Sequence, residues 1–279
     1  MEFFKGRTLV IATKHRKESV IAPKAREKLG VKIQIPAGFD TDVLGTFSGE
    51  IERKQDPLST LRKKCTMALE FTGADLCIGS EGSFGPHPSI PFIAANEEFV
   101  MLIDKKNGLE ILGKKLSPDT NFDGELCPTK ELLLEFAEKV HFPSHALILR
   151  NKKGSNKKIF KGITEKKELL EKFQLLKKQY GQAFAETDMR AMVNPTRMKV
   201  IAVAADAMLE KATTTCENCK MPGFGITDAL PGLKCSNCGL RTKSVSAYIH
   251  SCAKCGFRKE VPRTEKLLED PTYCDFCNP

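Results

Sequence analysis

Residues 7–36 read RTLVIATKHRKESVIAPKAREKLGVKIQIP. The apolar run at 7–13 ends in a polar turn, as a buried strand does. Lys17 to Leu29 has the composition of a helix stopped by Gly30, with Pro23 either kinking it or marking its true start. VKIQIP at 31–36 alternates apolar and polar residues like a second strand. A polar stretch, FDTDVLGTFSGEIERKQ, fills 39–55. Asp56-Pro57 then supplies an N-cap and a first-turn proline for a helix to about Phe71, ended by Gly73. ADLCIGS at 74–80 is a third short apolar strand. This β-α-β…α-β order specifies an α/β fold, with a parallel or mixed sheet and covering helices.

Beyond it, EGSFGPHPSIPF at 81–92 reads as a Gly/Pro loop, and FVMLID and GLEILG read as a hairpin around Lys105 to Asn107. Thr129 to Val140 is an amphipathic helix, and HALILR at 145–150 is a strand. Gly154-Ser155-Asn156 marks a turn with KIFKGI as the partner strand. Thr164 caps a helix running to Tyr180, and Asn194-Pro195 caps a last helix, PTRMKVIAVAADAMLEKA.

The 279 residues suggest two domains. Hydrophobic residues at 41% and charged residues at 28% describe a globular chain rather than a disordered one. No apolar run reaches the roughly 18 residues that a transmembrane helix needs. The start, MEFFKGRTLVIAT, lacks a charged-then-apolar leader. The reading is therefore a cytoplasmic protein with reduced cysteines, and no membrane partner.

Eight of the eleven cysteines lie in one tail, as the pairs Cys216/Cys219, Cys235/Cys238, Cys252/Cys255 and Cys274/Cys277. Two thiolates separated by two residues can turn around one ion, and a second pair completes a four-sulfur shell of the kind zinc prefers. Gly239 and Gly256 follow the second cysteine of two pairs, where a knuckle favours positive φ. The expectation is an α/β domain over 1–211 followed by a small module of tandem zinc ribbons over 212–279, holding two structural Zn²⁺. Which pairs combine is left open. Thioredoxin-like redox chemistry and an iron–sulfur cluster are the competing readings. His250 reads as a residue outside the shells, because eight cysteines already fill two sites.

The formal net charge of +9 is uneven. Residues 150–178 hold eleven Lys/Arg against three acidic residues, whereas the tail over 212–279 holds nine against seven. The excess reads as a solvated Lys-rich hairpin and helix face, or as an electrostatic patch for phosphates. No aromatic residue interleaves with the basic ones at 150–158, which weakens a single-strand nucleic-acid reading.

Candidate chemistry lies where strands of the first domain end. In open α/β sheets, ligands bind beyond the carboxyl ends of strands. Asp40, Asp42, Glu50 and Glu81 are carboxylates of the kind that hold Mg²⁺ against substrate phosphates. Lys14, His15, Arg16 and Lys17 follow the first strand, where basic groups and free N–H groups favour an anion. His87, between two prolines, reads as a loop imidazole or a site residue, and Ser83 has no base beside it in sequence. Asp188, Arg190, Asn194 and Arg197 surround the start of the last helix as an anion site, a cap network, or both.

LVIATKH, TFSGEI, GSEGSFGPHPSIPF, TNF, ETDMRAMVNPTRM and the PGFG and GL segments resemble, over nearly the whole chain, an uncharacterised bacterial family known only as a domain of unknown function. That likeness implies a shared architecture and no activity. More loosely, residues 7–112 are similar in element order to the inosine-triphosphate-pyrophosphatase and Maf-like nucleotide hydrolases. This resemblance implies Glu81 and Glu50 as catalytic acidic residues holding Mg²⁺ and activating water. It also implies Lys17 and Lys63 or Lys64 as phosphate contacts. Lys14 and His15 depart from that group, which has a small residue and Asn after the first Thr.

Two function classes follow. One is a Mg²⁺-dependent hydrolase of a phosphate-containing, nucleotide-like small molecule, with Arg190 and Arg197 joining Lys17 in offsetting phosphate charge. The other is a non-catalytic module that binds nucleic acid or protein through the ribbons or the basic face.

Overall fold

A computed structural model describes residues 3–39 and 56–279. The first sheet has the order β2-β1-β3-β4-β5, from β1 (Thr8–Ala12), β2 (Lys32–Gln34), β3 (Leu76–His87), β4 (Ile90–Asp104) and β5 (Leu109–Ser117). β1 pairs in parallel with β2 and β3, whereas β3, β4 and β5 form an antiparallel meander. The sheet is therefore mixed, as the element order requires. Helix α1 (Glu18–Leu29) joins β1 to β2, and α2 (Pro57–Thr72) precedes β3.

The strands alternate their side chains between two layers. Leu9, Ile11, Leu76, Ile78, Val100 and Leu102 pack with α1 and with the long helix α5 (Pro195–Thr213). Val10, Ala12, Cys77 and Met101 face the other way, onto Leu61, Cys65 and Ala68 of α2. Asp56 caps α2 by accepting from the Leu58 and Ser59 amides at 3.0 Å, and Asn194 caps α5 by accepting from the Arg197 amide at 2.9 Å. Pro23 lies inside α1 rather than at its start.

The stretch 81–92 is not a loop. β3 and β4 continue through it as a two-stranded ribbon, with Gly82 opposite Glu98 and Pro86 opposite Ala94. The prolines are tolerated because this ribbon runs past the end of β1, so β3 is an edge there. The helix expected from Thr164 begins at Lys166, with Glu165 at the cap position and no side-chain cap bond.

A second sheet lies between β5 and α5 in the chain. Its order is β6-β9-β7-β8, from β6 (Gly124–Cys127), β7 (Leu147–Arg150), β8 (Ile159–Ile163) and β9 (Ala183–Thr187), all antiparallel. Helices α3 (Lys130–Lys139) and α4 (Lys166–Tyr180) cover it around a separate core that includes Leu133, Phe136, Leu149 and Phe173. Strands β10 (Phe224–Pro231), β11 (Val245–Cys252) and β12 (Arg258–Pro262) form the third sheet, in the cysteine tail. Lys254 Nζ donates to the Asn107 carbonyl at 2.7 Å and ties this tail to the β4–β5 turn. Among the described residues, no helix is long and apolar enough to cross a membrane.

His145, just before β7, secures the junction between the second sheet and α5. The amide of Thr196, in the first turn of α5, donates to His145 Nε2 at 3.3 Å, and His145 Nδ1 lies 3.0 Å from Ser144 Oγ. This pattern needs a neutral imidazole with its proton on Nδ1. Burial first, then the charge of His141, lowers the His145 pKa. An unfolded histidine titrates near about 6.5, so below that pH the unfolded chain takes up the proton more readily. Stability contributed by neutral His145 is present above about pH 6.5 and is lost as pH falls through the lower folded pKa. Urea unfolding at pH 7.5 and 5.5 should show this loss, reduced in His145→Gln. Equal pH dependence of the two proteins would refute the assignment.

Candidate functional site

β1 stops at Ala12 while β3 runs on to His87. The chain leaves β1 for α1 on one face of the sheet and reaches β3 from α2 on the other. The carboxyl end of β1, where β3 runs on past it through Glu81, is thus a topological switch point, where such sheets open a crevice. The β1–α1 turn there is strained, with His15 and Arg16 both left-handed at φ 63° and 58°.

Five charged side chains converge at this point, each less than a tenth exposed. On the α2 side, Lys64 Nζ donates to Glu81 Oε2 at 2.5 Å. On the α5 side, Arg197 Nε donates to Glu98 Oε1 at 2.7 Å, and its Nη1 donates to the Met189 carbonyl. The Arg197 guanidinium also lies 5.0 Å from the centre of the Phe84 ring. Lys17, at the head of α1, feels all four of these charges. Burial first, then the cations Arg197 and Lys64, lowers its ammonium to about 7, against the opposing pull of Glu98 and Glu81. Gly82 belongs to the site because it lacks a side chain. A Cβ there would lie 2.7 Å from Arg197 Nη2 and as close to the Glu98 carboxyl carbon.

Two further polar groups mark the same region. Asn96 is fully buried, and among the described residues neither its Oδ1 nor its Nδ2 has a hydrogen-bond partner. The Ser80 hydroxyl is buried and likewise has no partner among the described residues. Buried unpaired polar atoms are costly, and they collect at sites that take a ligand or an ordered water.

Of the candidates named from sequence, Lys17, Glu81 and Arg197 meet here. Lys63 does not: it is exposed on α2, and its neighbour Lys64 takes the buried place. Lys64 shares the stripe of Leu61, Cys65 and Ala68, so helical spacing points it at the sheet. Arg190 stands apart, paired with Asp188 at 2.5 Å and beside Gly162 of β8. His87 sits at the far end of the β3–β4 ribbon, where its Nδ1 accepts from the Ser89 amide. Glu50, Asp40 and Asp42 lie outside the described residues. Glu98 and Asn96 were not singled out from sequence. Their signal is a pair of polar residues at period two, in register with Val100 and Leu102, on a face that is otherwise core.

The tail holds the second constellation. Cys216, Cys219, Cys252 and Cys255 form one tetrad and Cys235, Cys238, Cys274 and Cys277 the other, each with its sulfurs within 4.8 Å of one another. Each could hold a metal ion. The pairing is crossed, first pair with third and second with fourth, so the two sites interleave rather than follow in tandem. They clamp opposite ends of the β10–β11 ribbon, because Cys252 ends β11 and the Cys235/Cys238 knuckle lies between β10 and β11. Gly239 and Gly256 have φ of 73° and 71°, and Lys220 takes the equivalent turn at 61°. The third residue of the first two pairs is asparagine. Asn218 donates to Cys255 Sγ at 3.7 Å and Asn237 to Cys277 Sγ at 3.5 Å, each reaching the opposite knuckle of its site. His250 lies on β11 against Phe224, outside both tetrads.

The model of a family described as a domain of unknown function, DUF6671, matches residues 64–279. The chain belongs to the DUF6671 family. No curated protein matches it. The DUF6671 match takes in Lys64, Glu81, Glu98, Arg197 and all eight tail cysteines, and it leaves Lys17 outside.

Proposed function

We propose that the switch-point cluster binds a phosphate-containing, nucleotide-like small molecule, and that the chain hydrolyses it with Mg²⁺. The observation that carries this reading is the convergence of three buried cations, Lys17, Lys64 and Arg197, against two buried carboxylates, Glu81 and Glu98, at the carboxyl end of β1. Buried cations act on an anion far more strongly than solvated ones, because little water screens them. The strained turn and the head of α1 add backbone N–H groups on the same side. Glu81 is the acidic residue best placed for the metal, and a cation there competes with Lys64 for it. Glu50 is the second acidic candidate.

A phosphate beside Lys17 favours its charged form, so binding takes up a proton near neutrality. Affinity is therefore expected to rise as pH falls from 8 towards about 6.5. Thermal shift and calorimetry with phosphate, pyrophosphate and nucleotides, with and without Mg²⁺, test the reading. Phosphate-bearing ligands should raise Tm in the parent protein and not in Lys17→Met, with turnover only when Mg²⁺ is present. An equal shift in Lys17→Met would remove the anion site. Binding without turnover would leave a phosphate-binding protein.

For the tail we infer two structural Zn²⁺ ions in a reducing compartment, the cytoplasm, with residues 212–279 as a module built around them. Sulfurs about 2.3 Å from a tetrahedral zinc lie roughly 3.8 Å apart. The cross-knuckle pairs span 3.6 to 3.9 Å. Four thiolates leave no open position for water, so the ions supply folding free energy rather than chemistry.

A further inference from the structure

We propose that the lysine-rich β7–β8 loop and the adjoining face of α4 bind single-stranded nucleic acid, and that the cavity beside the loop receives one unstacked base. This proposal does not rest on the small-molecule reading, although the cavity adjoins the switch-point site through Phe122, which packs 5.5 Å from Phe84.

The loop between β7 and β8 reads NKKGSNKK, residues 151–158. Lys152, Lys153, Lys157 and Lys158 are exposed on it, and none of the four forms a salt bridge among the described residues. A loop so charged would splay if nothing held it. Arg150 holds it from the end of β7. Its buried guanidinium pairs with Glu186 at 2.6 Å and donates to the Ser155 carbonyl at 3.0 Å and to Asn156 Oδ1 at 2.9 Å. The cations are thus presented on a braced turn. α4 extends them, with Lys172 Nζ at 5.2 Å and Lys158 Nζ at 5.5 Å from the centre of the half-buried Phe160 ring of β8. Loop, strand and helix therefore share one positive face around an aromatic side chain. Sequence alone hid this, because Phe160 lies outside the loop.

A cavity on the opposite face of the second sheet, reached over the edge that the loop forms, adds a second feature. A space of about 560 Å³ opens between the β3–β4 ribbon and the second sheet, and Lys153 and Gly154 of the loop line it. Phe122 and Phe184 give it aromatic walls and Thr187 a hydrogen-bonding group, while its carboxylates Glu186 and Asp188 are neutralised by Arg150 and Arg190 and Asp123 by Lys139. A planar ring with a polar edge, attached to a polyanion, satisfies both features at once. Single strands offer this, since their bases can leave the stack and lie on aromatic side chains while lysines follow the phosphates. Duplexes keep their bases inside, and acidic peptides carry charge without the ring.

Fluorescence anisotropy with the full chain and a labelled unstructured 12-mer tests the proposal. Four phosphate contacts on a single strand predict a log–log salt slope of about −3. The variant K152Q/K153Q/K157Q/K158Q should bind at least tenfold more weakly, with a visibly shallower slope. Phe122→Ala, at a side chain 40% exposed, should weaken binding roughly 5- to 150-fold with the slope unchanged. Lys17→Met should bind the 12-mer as the parent does. Four results each overturn the proposal: no binding at low salt, equal binding by the four-lysine variant, no effect of Phe122→Ala, or equal competition by polyglutamate or duplex. Oligonucleotide failure alongside an intact phosphate-induced Tm shift sinks this inference alone. The reverse outcome sinks only the small-molecule reading.

Discussion

Arg197→Met is expected to lower the unfolding free energy by about 3–5 kcal/mol, the range for removing one partner of a buried ion pair. Both Arg197 and Glu98 have fully buried side chains, 2.7 Å apart. Deleting the guanidinium leaves the Glu98 carboxylate inside the sheet–helix layer with its counter-charge gone. It also removes the donor to the Met189 carbonyl and the cation over Phe84. These contacts join β3 and β4 of the first sheet, the segment after β9 of the second, and the first turn of α5. The loss should therefore appear as loosening between the sheets as well as reduced stability. Glu98→Gln should cost less, because an amide can still accept from the arginine. The double variant Glu98→Met/Arg197→Met should recover much of the loss, since no unpaired charge remains. Urea unfolding followed by circular dichroism measures all three. A single-variant loss below about 1 kcal/mol would mean that water reaches the pair, and the site would lose its low-dielectric character.

Local chemistry made the first sheet legible. RTLVIAT, Asp56-Pro57 and Asn194-Pro195 each state a strand or a cap within a few residues, and the structure uses them so. The 81–92 stretch reads as a loop because its glycines and prolines are ordinarily turn residues. They pair here because β3 outlasts β1 and has a free edge. β6 and β9 were missed for a different reason. GELC and AFAET are short, and they become strands only by pairing with each other and with β7. The site was half legible. Lys17 and Arg197 stand at helix starts, where ligand sites form, and Glu81 follows the apolar run 74–80, which reads as a complete strand although β3 continues through it. Glu98 and Asn96 sit within a strand, and only the arrival of α5 over Gly82 turns them into part of the cluster. The crossed cysteine pairing could not be read at all, because spacing within a knuckle carries no information about which knuckles meet.

Removing metal from the first tetrad alone is expected to expose Cys252 and Cys255 while leaving Cys235 and Cys238 protected. Crossed pairing makes the two sites independent in an unusual order. Cys219→Ser breaks the shell at the α5 end of the β10–β11 ribbon, and besides Cys216 it releases Cys252 and Cys255, more than thirty residues along the chain. The distal shell keeps all four thiolates. Sequential pairing would give the opposite pattern, freeing Cys235 and Cys238 and sparing Cys252 and Cys255. Pulsed alkylation with mass mapping separates the two outcomes, and metal analysis should fall from two equivalents to one. Cys274→Ser should free Cys235, Cys238 and Cys277 in the same way. Full chelation should have the larger effect, because structural zinc contributes about 10–16 kcal/mol to the folding of such small units. The tail has only a small apolar cluster around Cys216, Phe224 and Cys252 to replace it. Proteolysis should then remove the chain beyond about residue 214, while the two sheets and α5 resist through their own cores. Rapid alkylation of Cys235 in metal-loaded Cys219→Ser would overturn the crossed assignment. Survival of the tail after chelation would show that the ions do not hold it together.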